Sequence, residues 1–209
     1  MTYLCAAILG YILGSVPCGL LFVKMICGID IRDYGSHNIG TTNVFRTVGA
    51  RMASFVLLGD MLKGVFAILL VRFLFNTNLH LELLTAICAI LGHNYSAFLH
   101  FKGGRGVATG LGVMFFFMSD VSIFIFTVWA AIVFVTKYVS LASVLAALCA
   151  PLAAYYRGYP WELVAFALAA AFFIIFRHKD NIVRLLHGTE SKIKEGHLTT
   201  SKQDKSKED

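Results

Sequence analysis

Long apolar runs separated by short polar clusters make up most of this 209-residue chain. A helix that crosses a lipid bilayer needs ~20 predominantly apolar residues, and several runs approach that length. Between Val107 and Tyr156 the sequence is almost continuously apolar, and Ser119-Asp120 and Lys137 divide it into three segments. We predict helices at 1–26, 51–75, 81–99 and 161–176, together with the three segments between 107 and 156.

This pattern predicts an all-α fold, a polytopic membrane helix bundle with seven transmembrane helices. The segment at 107–118 is too short to span comfortably, and we expect it to begin inside the bilayer after a loop that dips in. Five crossings result if that hairpin does not cross. A content of 58% hydrophobic and 14% charged residues agrees with the bilayer as solvent. We expect residues 1–194 to form the membrane domain and the polar stretch 195–209 to be a disordered tail.

The distribution of basic residues predicts the orientation of the bundle. With the N-terminus outside, most of the 18 Lys and Arg residues fall in cytoplasmic loops and in the tail that starts at Arg177, as the positive-inside rule requires. Five and seven crossings both give this N-out/C-in topology. The bias also explains the net charge of +6, which favours anionic lipid. No basic face with interleaved aromatic residues indicates a nucleic-acid partner.

Two predicted spans contain residues that are unusual in a membrane. Asp60 and Lys63 lie three residues apart within the second run. Charges there are costly, so we expect them to pair or to face a polar cavity; a structural pair explains them as well as a substrate contact does. The stretch from Gly14 to Pro17 is expected to break the first helix. The five cysteines show no metal or disulfide spacing and are interpreted as buried hydrophobic residues, so no metal or cofactor is predicted.

A glycine-rich basic segment follows the third run. Gly103, Gly104 and a third glycine are interleaved with Lys102 and Arg105, and an apolar helix follows. Glycine lets backbone N–H groups come close to a ligand, and a helix N-terminus favours an anion. The segment therefore predicts a phosphate site, although its spacing is not that of a nucleotide-binding P-loop. Positive-inside charge is the alternative explanation, and His93 by itself is more typical of packing than of catalysis.

A second polar cluster lies at residues 35–46. Hydroxyl and amide groups there offer neutral hydrogen bonds, and an arginine can grip a phosphate through two of them. A polar loop between helices is the competing interpretation. The candidate residues are Ser36, Asn38, Thr42, Asn43 and Arg46.

The third cluster, at residues 177–192, predicts a short amphipathic helix in the headgroup plane. His178 and Asn181 are three residues apart and share a helix face, so they could address one ligand. Gly188 is expected to end the helix, and Glu190 is placed to pair with a neighbouring cation.

The chain resembles the bacterial acyl-phosphate:glycerol-3-phosphate acyltransferase family over nearly its whole length. The resemblance rests on the ordered motifs GSVPCG, GSHNIGTTNVFR, DMLKG, GHNYSAFLHFKGGRGVATG and HKDNIVRLLHGTE. It implies a seven-helix bundle in the bacterial cytoplasmic (inner) membrane, with its active site facing the cytoplasm. It also implies transfer of a fatty acyl group from acyl phosphate to the sn-1 hydroxyl of glycerol 3-phosphate. The products would be lysophosphatidic acid and inorganic phosphate, in the first acylation of phospholipid synthesis.

The resemblance also implies partners and residue roles. The partners are glycerol 3-phosphate, fatty acyl phosphate and membrane lipid, with the soluble enzyme that makes acyl phosphate as a further candidate. His37, Thr41 and Arg105 stand where the family usually has glycine, alanine and lysine. Candidate catalytic residues are Ser36, Arg46, His178 and Asn181. Candidate substrate- and phosphate-binding residues are Asn38, Thr42, Asn43, His93, Lys102, Gly103, Gly104, Arg105 and Glu190.

These residue types suit the implied chemistry. An acyl phosphate is already activated, so positioning and charge neutralisation could supply much of the rate without a covalent nucleophile. We expect Arg46 and Arg105 to hold the two phosphates, with Lys102 nearby. Either His178 or a substrate phosphate could accept the hydroxyl proton. The alternative class is a small multi-pass transporter of a phosphorylated solute or anion, which predicts an internal repeat that the sequence does not clearly show.

Overall fold

The computed structural model describes residues 1–194 and Gly196, and no strand occurs among them. The predicted tail at 195–209 therefore lies outside the described residues, apart from Gly196. Two single-turn 3₁₀ helices, Ile31–Asp33 and Ala97–Leu99, accompany the α-helices. The α-helices are α1 (Thr2–Ser15), α2 (Cys18–Cys27), α3 (Thr41–Thr47), α4 (Ala50–Leu74), α5 (Leu79–Asn94), α6 (Val107–Phe117), α7 (Ser119–Thr136), α8 (Val139–Tyr156), α9 (Trp161–Arg177) and α10 (Lys179–Leu186).

The expected break in the first helix is confirmed. Helix α1 ends at Ser15 and α2 begins at Cys18, with Val16 and Pro17 in non-helical conformations between them. Proline has no N–H and cannot continue the hydrogen-bond ladder. As a result the Val16 carbonyl accepts from the Cys18 N–H at 3.1 Å and from the Lys63 ammonium at 2.8 Å.

Each apolar segment forms a helix, but the helices differ in length. By length and composition the stretch Thr2–Cys27 and helices α4, α7 and α8 could each cross a membrane. A fifth span results if α9 and α10, which meet at a 60° bend, count as one. Helix α5 has 16 residues and α6 has 11. Thus four or five full spans, rather than seven, meet this criterion among the described residues.

Helix α5 is shorter than the sequence predicted. It ends at Asn94, not near residue 99. The chain turns there because the Ser96 hydroxyl donates to the Ser15 carbonyl at 2.6 Å, which fixes this corner against the end of α1. The turn brings the glycine-rich segment back beneath α5.

Close helix crossings set the shape of the bundle. Helix α1 packs chiefly on α5, α4 on α6, and α8 on both α7 and α9. At the α1–α5 crossing a Cβ on Gly14 would collide with the Ala89 backbone, and one on Gly92 with the Tyr11 backbone. Close approach of this kind is typical of helix packing in membranes.

Large apolar side chains cover the outside of the bundle. Phe73 is 84% exposed and Phe134 77% exposed. A surface that exposes many such side chains is unfavourable in water and matches a lipid environment. The apolar interior is centred on α5, α6, α8 and α9, with a smaller core where α2, α3 and α4 meet.

Candidate active site

One large cavity of about 960 Å³ opens where the three polar clusters meet. Helices α3, α6, α9 and α10 and the loops next to them contribute its polar part. Most of the candidate residues line it, and these come from positions far apart in sequence. They are Ser36, Asn38, Thr42, Asn43, Arg46, His93, Arg105, His178, Asn181 and Glu190.

Asn43 organises the polar cluster at residues 35–46 from inside. Its side chain is 2% exposed. Its Oδ1 accepts from the Ser36 N–H at 2.8 Å, and its Nδ2 lies 2.8 Å from the Asn38 carbonyl and 3.0 Å from the Tyr34 carbonyl. Because the polar atoms of the Asn43 side chain form hydrogen bonds with this loop, Asn43 holds Ser36 and Asn38 at the cavity edge. We assign it a positioning role.

The glycine-rich segment is held from two sides. The Gly104 N–H donates to the His93 carbonyl at 2.9 Å, and the Gly103 N–H donates to the Asn94 carbonyl at 3.2 Å. The protein backbone therefore already uses these two N–H groups, and in this structure they are not free to bind a phosphate. Gly106, with φ of +80°, starts α6 instead and brings the N-terminus of that helix to the cavity.

The Glu190 carboxylate contacts one of the four arginines at the cavity mouth, Arg184. The four are Arg46, Arg105, Arg177 and Arg184. The Arg46 Nη2 donates to the Ser191 carbonyl at 2.7 Å, while its Nε is buried without a described partner. The Arg105 side chain makes no hydrogen bond to any residue from 1 to 194 or to Gly196. Burial lowers the pKa of both guanidinium groups, and nearby Arg184 lowers it further. A bound anion would offset the cost of burying these positive charges, so the arrangement favours anion binding.

His178 lies just beyond the end of α9 and is 2% exposed. Its Nδ1 is 2.7 Å from the Ile174 carbonyl. A carbonyl only accepts, so Nδ1 carries the proton and Nε2 is left as an acceptor in the neutral ring. Burial lowers the pKa of this imidazole to about 4, with the nearby Arg105 acting in the same direction. The ring is therefore neutral near pH 7.

Glu190 ties α10 to α8. Its Oε1 accepts from Ser140 at 2.7 Å and from Asn181 at 2.6 Å, and its Oε2 accepts from Arg184 at 2.8 Å. Burial alone would raise the pKa of this carboxyl, but the three donors lower it below its usual value. The predicted pairing with a neighbouring cation is confirmed. Asn181 is aligned by this contact at the cavity wall.

The inner part of the cavity is apolar. Along α8 its wall runs from Val139 to Ala150, and along α9 from Ala167 to Ile174 and on to His178. At 1.5 Å per residue each stretch extends about 16 Å along its helix. The wall is completed by Leu111, Met114, Ile125, Phe126 and Trp129.

Lys102 does not line the large cavity. It is exposed and borders a neighbouring cavity of about 530 Å³, together with Arg32, His37 and His100. Asn38 lines both cavities. Gly103 borders the smaller cavity, while Gly104 is buried behind the wall of the larger one. Lys102 therefore lies next to the site rather than within it.

Several site residues were missed by sequence reasoning. Arg177 donates to the carbonyls of Gly103 and Gly104 and lies 5.1 Å over the Tyr95 ring. Arg184 and Ser140 hold Glu190. Arg177 and Arg184 could have been suspected from their position in the third motif, whereas no signal in the apolar sequence of α8 marks Ser140.

The buried charges of α4 meet both expectations placed on them. The Lys63 Nζ is 2.8 Å from the Asp60 Oδ1, and Asp60 lines the cavity.

The five cysteines are free. Across the part of the chain that the structure describes, no three His, Cys, Asp or Glu side chains are grouped to hold a metal ion.

Comparison with known proteins identifies the family. A family model described as glycerol-3-phosphate acyltransferase matches residues 4–188. The glycerol-3-phosphate acyltransferase of Desulforudis audaxviator is 45% identical over 184 residues, covering 88% of this chain and 92% of that protein. The one from Fusobacterium nucleatum is 41% identical over 194 residues, covering 93% and 100%.

Solved structures agree. The fold matches the crystal structure of PlsY, an integral membrane glycerol 3-phosphate acyltransferase, in its glycerol 3-phosphate form, with a TM-score of 0.85 at 39% identity. That match covers 93% of this chain and 96% of the other. The lysophosphatidic acid form gives 0.82 at 37% identity, covering 92% and 95%. These matches favour an enzyme over the transporter alternative, and the chain belongs to the glycerol-3-phosphate acyltransferase family of integral membrane enzymes of phospholipid synthesis.

Proposed function

We propose that this enzyme transfers a fatty acyl group from acyl phosphate to the sn-1 hydroxyl of glycerol 3-phosphate. The observation that carries the proposal is a single cavity with an arginine-rich mouth and an apolar interior. Two anionic groups suit the mouth and one hydrocarbon chain suits the interior. An acyl phosphate beside glycerol 3-phosphate has this combination of groups.

The arginines supply the electrostatic part of the mechanism. Arg46 and Arg105 hold the two phosphates, using donors that no described residue occupies. When the hydroxyl oxygen attacks the acyl carbonyl, the bond between that carbon and the bridging oxygen breaks. The electron pair leaves with the phosphate, and nearby guanidinium groups stabilise the growing charge.

His178 orients the attacking hydroxyl. Its Nε2 can accept a hydrogen bond from that group, because Nδ1 is committed to the Ile174 carbonyl. Nδ1 is bonded to a carbonyl and not to a carboxylate, which would stabilise an imidazolium. The pKa of His178, about 4, also makes it a weak base. The hydroxyl proton therefore goes to a phosphate oxygen of the substrates. The products are lysophosphatidic acid and inorganic phosphate.

The lipid substrate and product suggest the cellular setting. We propose seven transmembrane helices in the bacterial inner membrane, N-out and C-in, with the cavity mouth facing the cytoplasm. The clustering of arginine near the mouth supports this orientation through the positive-inside rule. A cytoplasmic mouth is also accessible to a soluble enzyme that makes acyl phosphate. Lys102, in the adjoining cavity, lies where it can attract an incoming anion.

The donor is tested with the purified enzyme in a lipidic phase. Glycerol 3-phosphate is supplied with acyl phosphate, acyl-CoA or acyl carrier protein in parallel, and both lysophosphatidic acid and the released leaving group are measured. We expect product and inorganic phosphate in equal amounts from acyl phosphate alone. Product formed at a comparable rate from either thioester, or esterification at the sn-2 hydroxyl, would refute the proposal.

A further inference from the structure

Helix α4 carries a buried ion pair for which the reaction described above has no use. Asp60 is 1% exposed and Lys63 is 8% exposed. Burying two charges costs more than their attraction commonly returns, and apolar residues of similar volume often stabilise as well. Within a membrane such residues are expected to serve function. Their other contacts indicate what this pair does.

The ammonium of Lys63 has three acceptors around it. Its Nζ lies 2.8 Å from the Asp60 carboxylate, 2.8 Å from the Val16 carbonyl and 2.9 Å from the His93 Nδ1. An ammonium has three donors and no acceptor. The broken first helix supplies one of the three partners, because the Val16 carbonyl lies outside the helical ladder.

These contacts determine the tautomer of His93. Since Lys63 can only donate, the Nδ1 of His93 must accept, and the ring proton is on Nε2. The Asp60 carboxylate is 3.5 Å from the same nitrogen, at the outer limit of a hydrogen bond. The closer Lys63 contact decides the assignment.

The Nε2 edge of His93 lies beside the glycine-rich segment. His93 lines the large cavity, and a Cβ on Gly104 would collide with its Nε2. No residue in the described ranges hydrogen-bonds this nitrogen. Gly104 thus leaves room for the imidazole edge next to Arg105, where a substrate anion is expected.

We propose that Lys63, held by Asp60, is a positioning residue that fixes His93 as the Nε2–H tautomer, so that His93 donates a neutral hydrogen bond to a phosphate oxygen of substrate. The inference rests on the proposed function for the identity of that anion. The opposite tautomer would present a lone pair to the phosphate and repel it. The pair on α4 therefore acts on substrate through His93.

The tautomer is measured directly in the full-length protein. Two-bond ¹H–¹⁵N spectra of histidine-labelled enzyme distinguish Nδ1–H from Nε2–H, and His93→Gln identifies the resonance. We expect Nε2–H in the wild-type protein. An Nδ1–H signal, with Asp60 as its acceptor, overturns the inference whether or not the enzyme uses acyl phosphate.

The positioning role is tested with the double variant Asp60→Asn/Lys63→Met, which removes the donor without leaving a lone buried charge. The matched control is Arg72→Met/Glu82→Gln, which removes a different ion pair, the one that joins α4 to α5 at 2.7 Å. We expect only the first variant to populate the Nδ1–H tautomer and to weaken binding of inorganic phosphate, on the order of tenfold or more. An unchanged tautomer, unchanged phosphate binding, or equal weakening in the control overturns the role. If phosphate binding behaves as expected but acyl phosphate is not a donor, the proposed function fails and the positioning role stands.

Discussion

Arg177 donates to the Gly104 carbonyl at 3.0 Å and so joins the end of α9 to the glycine-rich segment. The same guanidinium donates to Gly103 and lies over the Tyr95 ring. The contact links the glycine-rich segment to the third polar cluster, although the two residues lie more than 70 positions apart in sequence. Arg105 and His178 are each next to one end of this link, so their spacing depends on it.

Replacing Arg177 tests that dependence. Arg177→Met removes the guanidinium group that donates to two carbonyls. Arg177→Lys keeps the charge but lacks the planar set of donors. We expect kcat/KM to fall by about tenfold or more in both variants, with a smaller loss for lysine. Arg51→Gln, at an exposed position on α4, is the control. Full activity in Arg177→Met would show that the segment holds its shape unaided.

Glu190→Gln is expected to lower both stability and activity. The glutamine amide is neutral, so Arg184 loses its negatively charged partner. The amide also presents N–H donors to Asn181 or Ser140, which are themselves donors. Leaving a buried polar group unpaired costs about 1–3 kcal/mol. Thermal unfolding in detergent measures the loss of stability and phosphate release the loss of activity.

The control for Glu190→Gln is Glu162→Gln, at the start of α9. We expect Glu162→Gln to keep the stability and the activity of the wild type. Equal melting temperatures for the two variants would contradict the role given to Glu190.

Local sequence predicts most of the helices of the bundle, but it predicts the candidate site less completely. The break at Pro17 was predictable because proline lacks a backbone N–H, and this loss interrupts a helix at the proline itself. The convergence of Arg46, Arg105 and His178 was predicted from residue types and resemblance, and the structure confirms that they share a cavity. The end of α5 was misplaced because the Ser96–Ser15 contact that stops it is tertiary.

Tertiary contacts also determine details of the site that local sequence does not show. Glycines beside cations suggested free N–H groups, yet the N–H groups of Gly103 and Gly104 bond to the end of α5. Lys102 was expected near Arg105, and the turn at His100 and Phe101, both with positive φ, places it in the adjoining cavity. The Lys63–His93 contact joins residues 30 apart, and no local pattern predicts it.

Ala150 lies toward the inner end of the apolar wall and is 3% exposed. Ala150→Leu is expected to shorten the space for hydrocarbon and to shift selectivity toward shorter acyl chains. Losing burial of two or three CH₂ groups, at ~0.8 kcal/mol each, changes relative kcat/KM by on the order of tenfold or more. Competition assays with acyl phosphates of different length measure this change.

Leu148→Phe, at a position 48% exposed, is the matched control for Ala150→Leu. We expect its chain-length profile to match that of the wild type. A profile that stays unchanged in Ala150→Leu would show that the acyl chain lies elsewhere.

The lowered pKa of His178 predicts how stability depends on pH. An unfolded histidine protonates near pH 6.5 and the folded one at about 4, so the unfolded state binds more protons in this window. Stability is therefore lost as the pH falls from about 6.5 to 4. Comparing melting temperatures of wild type and His178→Gln isolates this contribution, and the variant is expected to show the shallower decline. Parallel curves would mean that His178 is not held neutral by burial.

The central claim is that one cavity holds both anionic substrates through Arg46 and Arg105. Its most direct test is a two-substrate initial-rate analysis of Arg46→Gln, Arg105→Gln and the exposed control Arg51→Gln. We predict that each site variant raises the KM for glycerol 3-phosphate or for acyl phosphate by about tenfold or more, while Arg51→Gln leaves both unchanged. Wild-type KM values for both substrates in Arg46→Gln and Arg105→Gln would contradict the account.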